Sequence, residues 1–428
     1  MVNSFINGFF VFSMICIWFV VLYQFILAVS GYVYYLKIEN LKDKRMSEIE
    51  TFNKWPHIDI FVPAHNEEIV IEKTIKSLVR LEYPRDKMHI YIINDCSSDG
   101  TGEIVKKYEN DFSGLINGIH TEKPRGGKGK SNALNIALEE SNSDYIFIYD
   151  ADNTPESKAV KLLIFELLQN KNYVAVIGKF RIRNRNHTLL TRFINLETLI
   201  HQWLTQAGRW QLFKMATIPG TNFVIKREIL TKIGGWDNDA ITEDTELSFR
   251  IFEDKKLIGM MPLAVSWQQD PPYLKVWMKQ RMRWAKGNIY VLHKYLPKIF
   301  KLKQIKIFID LIYYFLTYGI FFTAVILSDI LFLLGIIAYF MNWTILLPTV
   351  KGNFFIVWIL AYFVFVLQNI IILNMEKGEA TLKNYGLSFL IYFTYCQLWI
   401  IITFKAFVVY TKESIQGKEK IWYKTERF

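Results

Sequence analysis

The chain has 428 residues, 51% of them hydrophobic, and a formal net charge of +11. Its mean hydropathy of +0.15 is more apolar than a soluble globule of this size needs for its core, so part of it belongs in lipid. Three cysteines are too few for a disulfide framework, and the Lys and Arg are spread with no recognisable nucleic-acid module, which leaves an anionic membrane surface as the basic chain's partner rather than nucleic acid.

Residues 5–36 form an uncharged run longer than the about 20 helical residues that cross a hydrocarbon layer. The run lacks the basic flank and small-residue cleavage site of a secretory signal, so 1–36 reads as a retained transmembrane helix. Lys37, Lys42, Lys44 and Arg45 follow it and no Lys or Arg precedes it, which assigns the next segment, 37–270, to the cytoplasm.

Between about residues 55 and 267 short apolar runs (58–62, 89–93, 145–149) alternate with helical stretches such as 67–80 and 130–140. This is a βαβα pattern with a mostly parallel sheet, whose ligands bind at the carboxyl ends of the strands. Polar clusters sit at those ends. Pro63-Ala64-His65-Asn66-Glu67 follows the first run, and Asn94-Asp95-Cys96-Ser97-Ser98-Asp99-Gly100 follows the second. Asp95 and nearby backbone groups suit a pyrimidine nucleoside. Turn chemistry also explains the cluster, with Ser97 or Ser98 capping a helix that starts near Gly102.

Arg125-Gly126-Gly127-Lys128-Gly129-Lys130-Ser131-Asn132 opens a helix with glycines and cations, an arrangement suited to phosphate, although a flexible basic loop has the same composition. Its spacing is not that of a Walker P-loop. Asp150-Ala151-Asp152 projects two carboxylates from a strand end, able to hold Mg²⁺ or Mn²⁺ against a diphosphate, though Asp-x-Asp alone is common on loops. Residues 181–214, with Trp203 and Trp210, read as an element near the membrane or as a packing helix. In Thr242-Glu243-Asp244 a carboxylate opens the helical pattern 245–253. It serves there as a cap or, within reach of an acceptor hydroxyl, as a general base.

Residues 271–306 interleave aromatics with Lys and Arg and read as amphipathic helices in the membrane interface. They contain Gln280-Arg281-Met282-Arg283-Trp284, in which two Arg can neutralise a diphosphate and Trp can stack on a sugar. The apolar stretch 305–350 would be about 69 Å long as one helix, so it folds back, with the break expected at Ser328–Asp329. With 354–373 and 385–410, four crossings over 307–411 return a basic tail, 412–428, to the cytoplasm. The aromatic and cationic end of that tail, around Trp422, suits either lipid headgroups or a cover over a bound nucleotide.

In this order the five polar elements resemble the processive, membrane-embedded family 2 glycosyltransferases: the cellulose, chitin, hyaluronan and poly-N-acetylglucosamine synthases. The resemblance covers about residues 58–288 and, more loosely, the membrane arrangement. It implies a GT-A-type α/β cytoplasmic domain inserted between transmembrane α-helices. It also implies that Pro63, Asn66, Glu67, Asp95, Lys130, Asp150, Asp152 and Arg283 bind a UDP-sugar, with Mg²⁺ or Mn²⁺ on Asp152 and Asp150. Asp244 becomes the base, and Gly220, Thr221, Glu243, Gln280 and Trp284 face a growing polysaccharide acceptor. The loop Pro219-Gly220-Thr221-Asn222 departs from the aromatic-rich version of cellulose synthases, which leaves the acceptor open. The activity implied is inverting transfer of glucose or N-acetylglucosamine to a β-linked polymer that leaves through the enzyme's own channel in the plasma membrane, with accessory export or regulatory proteins as further partners. The alternative is a non-processive enzyme of the same fold acting on a membrane lipid.

Overall fold

The computed structural model describes residues 2–297, 308, 312, 322–341 and 353–416. Helix α1 (Val2–Thr51) is a single 50-residue rod that does not end where its apolar run ends. Beyond Leu36 it carries Glu39–Lys42, Lys44–Glu48 and Arg45–Glu48 ion pairs at 3.7, 3.9 and 3.1 Å. Pairs at this spacing each add about 0.2–0.5 kcal/mol, and no Gly or Pro interrupts the stretch before Pro56. Arg45 also pairs with Glu166 at 3.1 Å, fixing the end of the rod to the α/β domain.

Strands β1 (Ile58–Ala64), β2 (Met88–Asp95), β3 (Ile116–Thr121), β4 (Tyr145–Ile148), β5 (Thr154–Pro155), β6 (Tyr173–Ile182), β7 (Phe223–Lys226) and β8 (Leu257–Gln268) form one sheet in the order β3-β2-β1-β4-β7-β6-β8-β5. The first four strands in that order run parallel, and two of them, β1 and β4, are nearly continuous in buried residues, as strands covered on both faces must be. Helices α2 (Ile71–Val79), α3 (Thr101–Asp111), α4 (Lys130–Glu140) and α5 (Ala159–Gln169) pack around the sheet, α3 and α4 against β1, β2 and β3 and α5 against β6 and β8. Strand β7 runs against both neighbours, while β8 is parallel to β6. The reversal matters for the site. Ile148 pairs with Phe223, so the loop entering β7 meets the loop leaving β4. The α/β domain between apolar helices is the GT-A-type architecture expected from the resemblance.

Helix α6 (Leu189–Leu199) continues through a π-helical stretch, Ile200–Gly208, into α7 (Arg209–Phe213). It is a packing element: Trp203 and Trp210 are buried, and the stretch crosses α1 so closely that a Cβ on Gly31 or Gly208 would collide with the carbonyl of Trp203 or Leu27. Helices α8 (Arg227–Lys232) and α9 (Glu243–Glu253) follow β7, and α10 (Leu274–Tyr295) follows β8. The expected interface segment is thus one helix as far as it is described, with Trp277 fully buried; residues 298–306 lie outside the described residues.

Helices α11 (Phe322–Phe340), α12 (Asn353–Asn374), α13 (Leu382–Leu390) and α14 (Gln397–Gln416) complete the chain, the last two joined by a π-helical turn, Tyr392–Cys396. Among the described residues three helices are long and apolar enough to cross a membrane: Val11–Thr51, Ile356–Asn374 and Leu382–Gln416. The break expected at Ser328–Asp329 does not occur. Helix α11 runs through both residues, and the Asp329 carboxylate accepts from the Tyr392 hydroxyl at 3.2 Å, a neighbouring helix supplying the polar partner that the surface was expected to provide. The expected crossing before α11, most of the turn after it, and tail residues 417–428 with Trp422 lie outside the described residues.

The turn between α12 and α13 is bolted to the α/β domain. Glu376 accepts from Lys179 Nζ at 2.7 Å, Arg181 Nη1 at 2.5 Å and Trp203 Nε1 at 3.1 Å. Glu379 accepts from Arg181 Nη2 at 2.7 Å and Asn195 Nδ2 at 2.9 Å. All these side chains are buried, so this turn packs directly on the α/β domain.

Candidate active site

A cleft of about 1080 Å³ opens where the carboxyl ends of β1, β2, β4, β6 and β8 meet α9, α10 and the loop before β7. On its first wall, Pro63, His65 and Glu67 line the space. Asn66 does not. It takes a positive φ of 53°, its side-chain oxygen accepts from the Ser98 N–H at 2.7 Å, and its own N–H donates to Ser97 Oγ at 2.9 Å. Asn66 therefore laces two loops together beside the cleft. The start of α3 belongs to Asp99, which accepts from Thr101 N at 3.1 Å and Thr101 Oγ1 at 2.6 Å, and not to Ser97 or Ser98.

Asp95 is buried, and its Oδ1 accepts from Thr121 Oγ1 and the Gly127 N–H, both at 2.7 Å. The glycines of the 125–129 loop answer to geometry: a Cβ on Gly126 would collide with Thr121 and Asp95, and Gly127 and Gly129 take φ of 76° and 101°. The loop is pinned to Asp95 and leads directly into α4.

Lys130, the first residue of α4, reaches across the cleft floor. Its ammonium donates to Asp150 Oδ1 at 2.7 Å and the Gly220 carbonyl at 2.8 Å, and pairs with Glu243 at 3.2 Å. Burial opposes its charge, but Asp150 and Glu243 outweigh burial and hold its pKa above the usual lysine value. The Asp150 N–H donates to Thr221 Oγ1 at 3.1 Å, the contact that the antiparallel β4–β7 pairing makes possible. Asp152 lines the same wall and is buried. Among the described residues no three His, Cys, Asp or Glu are grouped to hold a metal ion. Asp150 and Asp152 offer oxygen donors alone, a set that fits Mg²⁺ or Mn²⁺ once phosphate oxygens complete the shell.

Asp244 faces this group from the first turn of α9. Its carboxyl is pushed up to about 7, first by burial and then by the charge of Glu243, against the pull of Lys130 and the Thr245 N–H. The capping reading is met in part: Thr242 makes no side-chain cap bond, but Asp244 accepts at 2.7 Å from the Thr245 N–H, one of the first-turn donors that α9 leaves without a helical partner. Gly220 takes φ of 81°, and a Cβ there would stand 2.9 Å from Asp244 Oδ2, so glycine is what lets this loop approach.

Gln280, Arg283 and Trp284 line the cleft from α10. Arg281, which lines the cleft as well, is buried, pairs with Glu197 at 2.6 Å and covers the Trp284 ring at 4.0 Å. Glu197 also accepts from Tyr395 Oη at 2.8 Å and Trp399 Nε1 at 2.6 Å, which ties α6 and α10 to α14. Glu197, His201, Asp270 and Trp399 line the cleft and were not anticipated. Each comes from a helix or turn without a polar motif of its own, apart from Asp270, whose position before Pro271-Pro272 and α10 was the available signal.

Residues 59–234 match the model of the family described as Glycosyl transferase family 2. The chain is 44% identical over 423 residues to a probable glycosyltransferase, YdaM, of Bacillus subtilis (strain 168), covering 99% of this chain and 98% of that one. It is 28% identical over 286 residues to the poly-beta-1,6-N-acetyl-D-glucosamine synthase of Staphylococcus epidermidis, 66% of each chain. A mannosyltransferase of Pyrobaculum calidifontis, solved in complex with GDP-Man and Mn²⁺, has the same fold, with a TM-score of 0.57 at 17% identity over 92% of this chain and 100% of that one.

Proposed function

This chain belongs to glycosyl transferase family 2, and from that premise we propose that it is an inverting, processive synthase that extends a β-linked polysaccharide from a UDP-sugar. The observation that carries the reading is the convergence on one cleft of Asp150 and Asp152, bridged through Lys130 to the helix start that bears Asp244. In this reading Pro63, Glu67 and Asp95 hold the uridine, and Arg283 faces the diphosphate. A divalent cation on Asp152 and Asp150, when bound, neutralises charge on the leaving diphosphate.

The acceptor hydroxyl is oriented by Trp284, Gln280, Glu243 and the Gly220–Thr221 loop. Its oxygen attacks the anomeric carbon, Asp244 takes its proton, and the bond to UDP breaks with the electron pair leaving on the diphosphate beside Arg283. One displacement inverts an α-linked donor to a β-linked product. A base whose pKa lies near neutrality suits that proton transfer.

The name of the Staphylococcus epidermidis relative makes N-acetylglucosamine the first donor to test, with glucose second. Basic residues after the first span and the bolted 375–381 turn support a multi-pass plasma-membrane enzyme with its site on the cytoplasmic side. The test is incubation of purified protein with a panel of UDP-sugars and Mg²⁺ or Mn²⁺, followed by sizing of the product and digestion with linkage-specific hydrolases. Long β-linked polymer is expected. A single sugar added to lipid would select the non-processive alternative, and no transfer with any donor would overturn the reading.

A further inference from the structure

Beside the cleft, a chain of polar contacts joins the helices that carry Lys130, Asp244 and Arg283. It starts on α4, where Asn135 Nδ2 donates to the Trp236 carbonyl and Asn135 Oδ1 accepts from the Trp236 N–H, both at 2.8 Å. Gly235, at φ of 73°, permits this approach, since a Cβ there would collide with the Asn135 side chain. The next residue, Asp237, accepts from Lys294 Nζ at 2.8 Å. Lys294, near the end of α10, also donates to Glu246 Oε1 at 2.7 Å. Glu246 lies two residues beyond Asp244 on α9 and is fully buried, accepting as well from Tyr295 Oη at 3.0 Å and Arg250 Nε at 2.7 Å.

Neither α9 nor α10 is hydrogen-bonded into the sheet, so side chains decide how these helices stand relative to each other. They meet at two places. At the cleft end, a Cβ on Gly287 would collide with Thr242, which fixes how closely the helices approach. At the far end, Tyr295 stacks on Phe249 with ring centroids 5.1 Å apart and donates to Glu246, and the Lys294 ammonium joins both helices to the 236–239 segment, whose Asn238 and Asp239 reach the cleft. A helix held at two points has a set tilt. Arg283 and Trp284 precede Lys294 by about three turns, so a change of tilt at Lys294 moves them relative to Asp244.

Building on the transferase reading, we propose that Lys294 is a positioning residue for sugar transfer: by binding Asp237 and Glu246 together, it sets the base on α9 against the diphosphate and acceptor groups on α10. Its removal leaves no buried charge stranded, because Glu246 keeps Arg250 and Tyr295, and Asp237 keeps the Tyr290 hydroxyl at 3.3 Å. The fold therefore survives on these contacts and the Phe249–Tyr295 stack, and what is lost is the one group that holds Asp237 and Glu246 together, which loosens the alignment.

The experiment compares full-length wild type, Lys294→Met, Lys294→Arg and Asp237→Asn in detergent. It measures kcat, donor KM, UDP affinity with Mg²⁺ by calorimetry, and hydrogen exchange across residues 243–253 and 274–295. Lys294→Met is expected to lower kcat by about 10- to 100-fold, the scale of a misalignment near 1 Å, with donor KM and UDP affinity within about twofold of wild type. Exchange should rise in α9 and stay unchanged in β1 and β4. Lys294→Arg should restore most of kcat, since a guanidinium can also donate to two carboxylates, and Asp237→Asn should fall between. Unchanged exchange in α9, or a Lys294→Met enzyme with wild-type kcat, overturns the proposal. A fall in UDP affinity and thermal midpoint that matches the fall in kcat, without rescue by Lys294→Arg, also overturns it, because it assigns Lys294 to folding alone. Absence of transfer in the wild type with every donor counts against the transferase reading, while the exchange measurement still decides the role of Lys294.

Discussion

The two walls of the cleft are built by different means. Asp95 ends β2 in register with Thr121, and Asp150 and Asp152 stand in the turn that leaves β4, a strand held between β1 and β7. Asp244, Arg283 and Trp284 stand on helices outside the sheet, positioned by buried ion pairs and by glycines that permit close approach. The first wall is anchored by many backbone bonds, each of small individual worth, and tolerates loss of a side chain. The second depends on a few side chains that are individually consequential. Substitutions in the helical wall should therefore disturb turnover or folding sharply, and those in the strand wall should mainly weaken donor binding.

Asp244→Asn tests the helical wall at its chemical centre and has the largest expected effect. Transfer should fall by about 10² to 10⁴ while UDP affinity stays close to wild type, because loss of a general base costs that much and the amide keeps the shape. Near-normal polymer yield would return Asp244 to a capping role. The same group sets a pH dependence. Burial raises its pKa to about 7, so the ionised base is lost as pH falls through that value. In wild type kcat/KM should then fall about tenfold per pH unit below 7 and level off above it, and in Asp244→Asn that limb should vanish.

Glu376→Ala probes the same kind of construction far from the chemistry. It leaves Lys179 buried without its carboxylate and Arg181 with Glu379 alone, at an expected cost of about 3–5 kcal/mol. A lower thermal midpoint in detergent, with kcat per folded molecule preserved, is the expected result. An unchanged midpoint would mean that the turn between α12 and α13 does not hold the domain.

Asp152→Ala tests the strand wall. Metal-dependent donor affinity should drop by about tenfold or more, partly recovered by excess Mg²⁺ or Mn²⁺, since an oxygen-ligated cation loses one of few anionic ligands. Metal titrations superimposable on wild type would remove Asp152 from the metal site. Gly220→Ala has the smallest expected effect and lies where the two walls touch. Its φ of 81° and the 2.9 Å approach of a Cβ to Asp244 predict a strain of about 1–3 kcal/mol, seen as slower transfer with unchanged UDP affinity. Equal rates would show that the loop moves aside freely.

The sequence by itself determined the strand wall. Apolar runs of strand length ending in Asp95 and Asp150, and a Gly-Lys loop opening a helix, place carboxylates and a cation at strand ends because a parallel sheet presents its carboxyl ends along one edge. It also determined which segments are apolar enough to span lipid. It did not determine that α1 would continue to Thr51 or that α11 would run through Asp329, because those outcomes rest on partners elsewhere, Glu166 for Arg45 and Tyr392 for Asp329. Nor did it show the partner of Arg281 in the Gln280–Trp284 motif: local pattern gives both arginines the same chemistry, and only the arrival of Glu197 from α6 pairs Arg281 with a carboxylate at 2.6 Å. Nor did it show that the side-chain oxygen of Asn66, in a loop at the strand ends, is taken by the Ser98 N–H. Periodicity records which face of an element is apolar, whereas the partner of a buried charge is chosen by packing between segments distant in the chain, and that choice exists only once the tertiary structure has formed.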